Sequence, residues 1–416
     1  MTDNKFRLGY RACQELLLHR SQESAPALVQ LLVGPRQVGK STLLLDLVRR
    51  LGPVANYVAV DGPEAVLPGF WERVWSRADA TVATHGRAVV LLDEVHLLPD
   101  WAARLKGQWD RIRRRRLPIN VVATGSSSLR LARGPRESLA GRFERATLTH
   151  WSAQDLVDVF DVRPDDAVAM IVQQGAYPGA FPFREDRARW TAYVRDAILE
   201  PAIGRDLLAL GPIRKPGLLR QVFGVAVTNP AQIVSLAKIQ GQLQDSGALE
   251  TIAHYLALLE DAYLVAAVPK FSTRAIRQRA APPKLIPLSN ALLAALDPHG
   301  PPDAATHPAR FGAWVENACL AHAWNAGQQL RYWREEPLEV DAIIDGSWGA
   351  WAIEVKTGDI DPGRLRGLAE FARRFPRYKP LVLCDRSGIE TVKRTGLSGR
   401  LWRDFLLAGP GELVRS

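Results

Sequence analysis

Cysteine is scarce in this sequence: 416 residues hold three, Cys13, Cys319 and Cys384. They lie far apart, so they form no CxxC pair, no metal-ligand spacing and no disulfide framework, and a reducing cytoplasm is the expected location. No stretch approaches the roughly 18 uninterrupted apolar residues of a membrane span. The start, MTDNKFRLGYRACQELLLHR, carries charges throughout and has no apolar core, so neither export nor a membrane is expected. Internal repeats and long low-complexity tracts are also missing. What is present is ordinary globular material, with 47% apolar and 24% charged residues, 12 Trp, 12 Phe and 8 Tyr. That excludes a disordered or fibrous chain, and the length predicts two to four domains of about 100 to 200 residues. Lys plus Arg outnumber Asp plus Glu by 54 to 44, a net charge of +10. The excess permits a polyanionic partner such as nucleic acid without requiring one.

Residues 27–34, ALVQLLVG, form an apolar run that ends in glycine and leads through a Gly-rich turn into STLLLDLVRRLG. The pattern predicts strand, loop and helix. Two further apolar runs, AVVLLDEVHLLP at 88–99 and INVVATGSSS at 119–128, end in polar or acidic residues and alternate with helical stretches, as in a parallel sheet covered by helices. One of those stretches, WAARLKGQWDRIRRRR, sets Leu105, Trp109 and Ile112 at helical spacing and ends in arginines that favour the negative helix pole. Residues 152–262 read as almost entirely helical, and HGPPDAATHP at 299–308 reads as an exposed linker. Beyond it a helix at 313–326 precedes strands at 329–334, 338–345 and 350–356, a helix at 363–375 and the strand KPLVLCD.

GPRQVGKST, Gly34, Pro35, Arg36, Gln37, Val38, Gly39, Lys40, Ser41 and Thr42, satisfies GxxxxGK[ST] between a predicted strand and a predicted helix. In that setting backbone N–H groups cradle phosphates, Lys40 reaches the β and γ oxygens of ATP, and Ser41 holds Mg²⁺. Fifty-three residues after Lys40, VVLLDE delivers Asp93 and Glu94 at the carboxyl end of a buried strand. Asp93 suits Mg²⁺, and Glu94 suits the attacking water. His96, two residues on, reads as a packing or surface residue. Thr124 or Ser126 is placed to sense the γ-phosphate. Arg133, Arg136, Arg142 and Arg145 are candidates to neutralise charge in the transition state, although each taken singly also reads as a solvated or structural arginine.

These residues resemble a widespread prokaryotic family of AAA-type ATPases that carry a helical, winged-helix and nuclease-like C-terminal region of unassigned function. The likeness rests on GPRQVGKST, LLDEVHLLPDW, ATGSSS followed by LAGR, YLALLEDAYLV, VENACLAHAW, YWREE, EVDAII and AIEVKTG, which run in family order across nearly the whole chain. It implies ATP hydrolysis and prefers Arg142 as the arginine finger, acting within its own subunit or on a neighbour, so a homo-oligomer is an implied partner.

Two downstream segments bear on nucleic acid. QIVSLAKIQGQLQ, DSG and ALETIAHYLALLEDAYLV resemble a helix-turn-helix with Ile252, Leu256 and Leu259 as its apolar stripe. The second helix exposes Glu250, Thr251, His254 and Glu260 but no cation, a poor set for gripping DNA. The following segment carries Lys270, Arg274, Arg277, Arg279 and Lys284 with no acid, as a phosphate-tracking wing would. Near the end, EVDAIID and WAIEVK read as antiparallel strands joined by a turn around Gly346 and Gly349. Alternation puts Glu354 and Lys356 on one side with Asp341 across from them, and Glu316 comes from the preceding helix. The order resembles the PD-(D/E)XK nucleases, in which the carboxylates hold Mg²⁺ and the lysine helps activate water. A plain ion-pair cluster of the same residues is the competing reading.

The expected fold is α/β: a P-loop AAA-type parallel-sheet domain over 1–150, a helical connector with winged helix over 151–300, and a nuclease-like α/β domain over 301–416. The expected function is Mg²⁺-dependent ATP hydrolysis coupled to DNA binding or processing. The alternative is a nucleotide-dependent switch whose C-terminal domains bind protein partners and cut nothing.

Overall fold

A computed structural model describes residues 7–24, 26–125, 139–207, 213, 215–243, 248–272 and 281–411. Two compact units result, one built on Phe6–Thr149 and the other on His150–Arg205 with Ile213–Ser416.

The N-terminal unit is a parallel six-stranded sheet: β1 (Arg7–Leu8), β2 (Val29–Val33), β3 (Ala55–Ala59), β4 (Ala88–Asp93), β5 (Ile119–Thr124) and β6 (Phe143–Leu148) in the order β1-β6-β2-β5-β4-β3. Every residue of β2, β4 and β5 is buried, as expected for strands covered on both faces. One face packs on α3 (Phe70–His85) and α4 (Trp101–Arg115), whose Trp71, Trp75, Trp101 and Trp109 join the core with Leu31, Val90 and Val121. Leu105, Trp109 and Ile112 are buried, as their spacing predicts. Helix α1 (Tyr10–Ser21) and helix α2 (Lys40–Leu51) also pack on the sheet. Strands β1, β3 and β6 went unread in the sequence. Only one residue of β3 is fully buried, and β6 opens with three half-buried residues, Phe143, Glu144 and Arg145, so neither shows an unbroken apolar run.

In the C-terminal unit, α5 (Ala153–Phe160), α6 (Pro164–Gln173) and α7 (Arg187–Tyr193) precede α8 (Pro216–Thr228), α9 (Leu236–Gly241) and α10 (Leu249–Asp261). Ser152 starts α5 with a reciprocal cap, its hydroxyl accepting from the Asp155 N–H while the Asp155 carboxylate accepts from the Ser152 N–H. Ile252, Leu256 and Leu259 form the buried stripe of α10. A small antiparallel sheet follows in the order β7-β9-β8, from β7 (Gln232–Ile233), β8 (Val265–Val268) and β9 (Lys284–Pro287). After α11 (Asn290–Leu296), α12 (Pro308–Asn325) leads into a five-stranded mixed sheet: β10 (Gln329–Glu335), β11 (Leu338–Gly346), β12 (Gly349–Val355), β13 (Lys379–Cys384) and β14 (Ser398–Leu401) in sequential order. The first three are antiparallel and the last three parallel. Leu368 and Phe371 of α13 (Arg366–Arg374) seal one face against Trp333, Val340, Ile343 and Val382. The three cysteines are buried and unpaired with one another. Among the described residues no helix is long and apolar enough to cross a membrane.

Candidate nucleotide site and terminal carboxylate cluster

The phosphate loop sits where its chemistry requires, between the buried strand β2 and helix α2. Leu43, Leu44, Leu47 and Leu51 anchor that helix to the unit, which fixes the position of its N-terminal end. Gly34 lies beside the end of β6, and a Cβ there would stand 2.0 Å from the Leu148 carbonyl oxygen, so no larger residue fits without moving backbone. Gln37 and Gly39 take positive φ values of 58° and 93°, which turns the loop and points the first N–H groups of α2 into it. Lys40 is buried, its Nζ donating to the carbonyls of Gly34 (3.2 Å) and Pro35 (2.7 Å), which holds the ammonium over the loop. Val38 is buried, Ser41 half-buried and Thr42 exposed at the start of the helix.

Strand β5 separates the loop strand from β4, so Thr124 stands next to the end of β4. The Thr124 hydroxyl donates to Asp93 Oδ1 and accepts from the Glu94 N–H at 3.1 Å. Tyr57, from β3 on the other side, donates its hydroxyl to Asp93 Oδ2 at 2.9 Å. Burial and the Asp93 carboxylate push the Tyr57 phenol well above its ordinary range, so it remains a donor. Two neighbouring strands therefore orient one carboxylate. Glu94 has a left-handed backbone (φ 53°), and its Oε2 lies 3.3 Å from His96 Nδ1. His96, expected as a packing or surface residue, is half-buried beside Glu94. Ser41 and Asp93 bring a hydroxyl and a carboxylate, the hard oxygen donors that Mg²⁺ takes.

Arg142 is tied down: its Nε donates to Asp110 Oδ1 on α4 at 2.8 Å, and Nη1 to the Ala140 carbonyl at 3.2 Å. The bond from Arg142 holds the Asp110 carboxyl below its usual range. Arg145 lies on β6 opposite Leu31. Ser126, Arg133 and Arg136 fall outside the described residues. Sequence reasoning missed Tyr57 and Asp110, which lie 36 and 32 residues from their partners.

In the C-terminal unit Glu316, Asp341, Glu354 and Lys356 do converge. The register of β11 with β12 pairs Ala342 with Ile353, which places Asp341 opposite Glu354 one step on. The Asp341 N–H donates to Glu354 Oε2 (3.4 Å) and the Val355 N–H to Asp341 Oδ2 (2.9 Å). Lys356 Nζ is 2.5 Å from Glu354 Oε1 and 3.9 Å from Asp341 Oδ2. A fifth member was not expected. Lys284, read from sequence as a solvated phosphate contact, is 1% exposed and reaches Glu316 Oε1 (2.5 Å) and Asp341 Oδ1 (3.3 Å). That expectation is corrected because the ion pairs and the burial of β9 remove this lysine from the surface. Of the other expected wing cations, Lys270 is half-buried, and Arg274, Arg277 and Arg279 lie outside the described residues.

Burial raises the Glu316 carboxyl to about 7 and the Glu354 carboxyl to about 8, with repulsion from Asp341 adding to both. Burial acts the same way on Asp341, but Lys284 and Lys356 outweigh it and hold that carboxyl below its ordinary value. Among the described residues no group of three or more His, Cys, Asp or Glu is disposed to hold a metal ion.

A phosphate loop between a buried strand and its helix, with a carboxylate-bearing strand one strand removed, defines the P-loop class of α/β domains. Residues 27–157 match the model of a family described as an AAA domain, so the chain carries an AAA-type P-loop ATPase domain. Residues 165–303 and 311–395 match two domains of unknown function, DUF8612 and DUF4143. Comparison with curated proteins finds no match. Solved structures similar to the chain include the Aeropyrum pernix ORC1 protein in complex with DNA, at 15% identity over 70% of this chain and 91% of that one, with a TM-score of 0.31. Others are the Thermotoga maritima RuvB Holliday junction branch migration motor, at 19% identity over 62% and 89% with a TM-score of 0.32, and AMPPCP-bound DnaA from Aquifex aeolicus, at 11% over 61% and 88% with a TM-score of 0.33. Scores of this size carry no argument about function.

Proposed function

We propose that the chain is an ATPase whose nucleotide cycle, run on the N-terminal domain of residues 1–150, is coupled to DNA through a winged-helix middle (151–300) and a nuclease-like terminal domain (301–416). The observation that carries the ATPase reading is the joint placement of Lys40 over the loop and of Asp93 between two hydroxyl donors. In this reading the backbone N–H groups of Arg36 to Thr42 take the phosphates, and the Lys40 ammonium neutralises the β and γ oxygens. Ser41 and Asp93 are the residues to hold Mg²⁺, which when bound offsets charge on the same oxygens. Glu94 positions a water and accepts its proton as the water oxygen bonds to the γ-phosphorus, and the electron pair of the broken bond leaves on ADP. Thr124 fixes the Asp93 carboxylate and the Glu94 backbone, and Arg142 reaches the phosphates of its own or a neighbouring copy once released from Asp110.

The three helices α8, α9 and α10 followed by the β8–β9 hairpin support the winged-helix reading, and the mixed sheet with its ExK strand supports the nuclease-like one. A second reading, a nucleotide-dependent switch that binds protein partners and cuts nothing, is favoured by the lysine buried among the terminal carboxylates. Reduced cysteines suit work in the cytoplasm. The test is ATP turnover by the full chain with and without duplex DNA, together with DNA affinity across salt concentrations. Coupling to DNA predicts stimulated turnover and an affinity that falls steeply with salt. Unchanged turnover and no binding at low salt leave the switch.

A further inference from the structure

Lys284 opens strand β9, in the segment that matches one domain of unknown function, while the carboxylates it meets belong to the next. Its Nζ faces three acceptors: Glu316 Oε1 at 2.5 Å, Asp341 Oδ1 at 3.3 Å and the Asp341 carbonyl at 3.2 Å. Three acceptors match the three protons of an ammonium. Lys356 covers Glu354 and the other oxygen of Asp341. The cluster therefore sets three carboxyl groups against two ammonium groups. Mg²⁺ or Mn²⁺ needs oxygen ligands at about 2.1 Å, and an ammonium already stands between Glu316 and Asp341. As they are arranged, these residues do not fit the metal that their sequence pattern implies.

The residues that follow β8 and precede β9 are fastened to the terminal sheet as well. The Phe271 N–H donates to the Tyr332 carbonyl (2.5 Å), the Tyr332 N–H to the Pro269 carbonyl (3.2 Å), and the Tyr332 hydroxyl to the Pro282 carbonyl (2.5 Å). The Phe271 ring lies 5.2, 5.0 and 5.6 Å from those of Phe371, Phe375 and Tyr378. Lys284 thus cannot leave alone, because its backbone is held with the hairpin.

We propose that Lys284 is the terminal cluster's own cation, standing where a divalent ion would be held and closing the carboxylates to metal for as long as β9 lies against α12 and β11. Strand β9, paired with both β7 and β8, holds this cation against the carboxylates. The inference does not depend on the chain being an ATPase.

The experiment titrates Mn²⁺ into the nucleotide-free full chain carrying Asp93→Asn, which silences the N-terminal site, with free Mn²⁺ read by electron paramagnetic resonance. The parent binds no ion whose binding Glu354→Gln removes. Adding Lys284→Gln creates one site, bound at least tenfold more tightly than anything in the parent and lost again when Glu354→Gln is added. Lys284→Arg, which keeps the cation, stays closed. Should Lys284→Gln not fold, the pair Lys284→Gln with Glu316→Gln removes one charge of each sign, leaves Asp341 and Glu354 as ligands and carries the same test. A Glu354-dependent site in the parent overturns the proposal. A folded charge-removed variant that binds no Mn²⁺ overturns it equally.

Discussion

Replacing Thr124 with valine keeps the shape of a side chain that is wholly buried and removes its one polar atom. That atom donates to Asp93 Oδ1 and accepts from the Glu94 N–H. A hydrogen bond to a carboxylate contributes about 1.5–3 kcal/mol, and a buried N–H left without a partner costs about 1–3 kcal/mol. Tyr57 still holds Asp93 Oδ2, which limits the first loss, so about 3 kcal/mol in total is expected. The second loss falls on Glu94, whose left-handed backbone is held partly by this bond. Two measurements read the effect: urea denaturation, and hydrogen exchange in the segment around Glu94, where about 3 kcal/mol corresponds to opening roughly a hundredfold more often. ATP turnover falls with it, and Thr124→Ser, which keeps the hydroxyl, restores all three. A valine variant within about 0.5 kcal/mol of the parent and with unchanged exchange refutes the reasoning.

Burial lowers the imidazoles of His150 and His322 to about 4, and His150 bonds the Tyr263 carbonyl at 2.8 Å. Their folded values lie below the unfolded value near 6.5, so the unfolded chain binds more protons between pH 6.5 and 4; stability is full above 6.5 and falls by up to about 3 kcal/mol per histidine as pH drops through that window. Urea titrations at pH 7, 5.5 and 4 should show a pH dependence that shrinks in the double variant His150→Gln, His322→Gln; equal slopes contradict the assignment. Gly34→Ala drives a Cβ into the Leu148 carbonyl oxygen and shifts the loop, so affinity for a fluorescent ATP analogue should fall at least tenfold. Unchanged affinity would show that the loop tolerates the shift.

Local signals carried the phosphate loop and the carboxylate strand because both are single segments: an apolar run, then chemistry, read within about ten residues of chain. The terminal cluster was legible for the same reason, since alternation along β11 and β12 fixes which side chains share a face. Lys284 shows where such reading stops. In sequence it closes a basic, acid-free run that looks solvated, and its burial is decided by Glu316 and Asp341, 32 and 57 residues onward. Tyr57 lies on a mostly half-buried strand whose composition gives no hint of a bond to the Asp93 carboxylate. The approach of His96 to Glu94 depends on the left-handed turn at Glu94, which no local pattern announces.

The central claim is that the AAA-type domain binds and hydrolyses ATP with Lys40 and Glu94 in separate roles. The most direct measurement is ATP binding and steady-state turnover on the parent, Lys40→Ala and Glu94→Gln, each in Mg²⁺. Lys40→Ala should lose binding or turnover, because it removes the ammonium that the Gly34 and Pro35 carbonyls hold over the loop. Glu94→Gln should bind ATP like the parent while losing most turnover, since it keeps shape and removes the carboxylate that positions water. Full turnover by Lys40→Ala, or a collapse of ATP affinity in Glu94→Gln, would contradict the account.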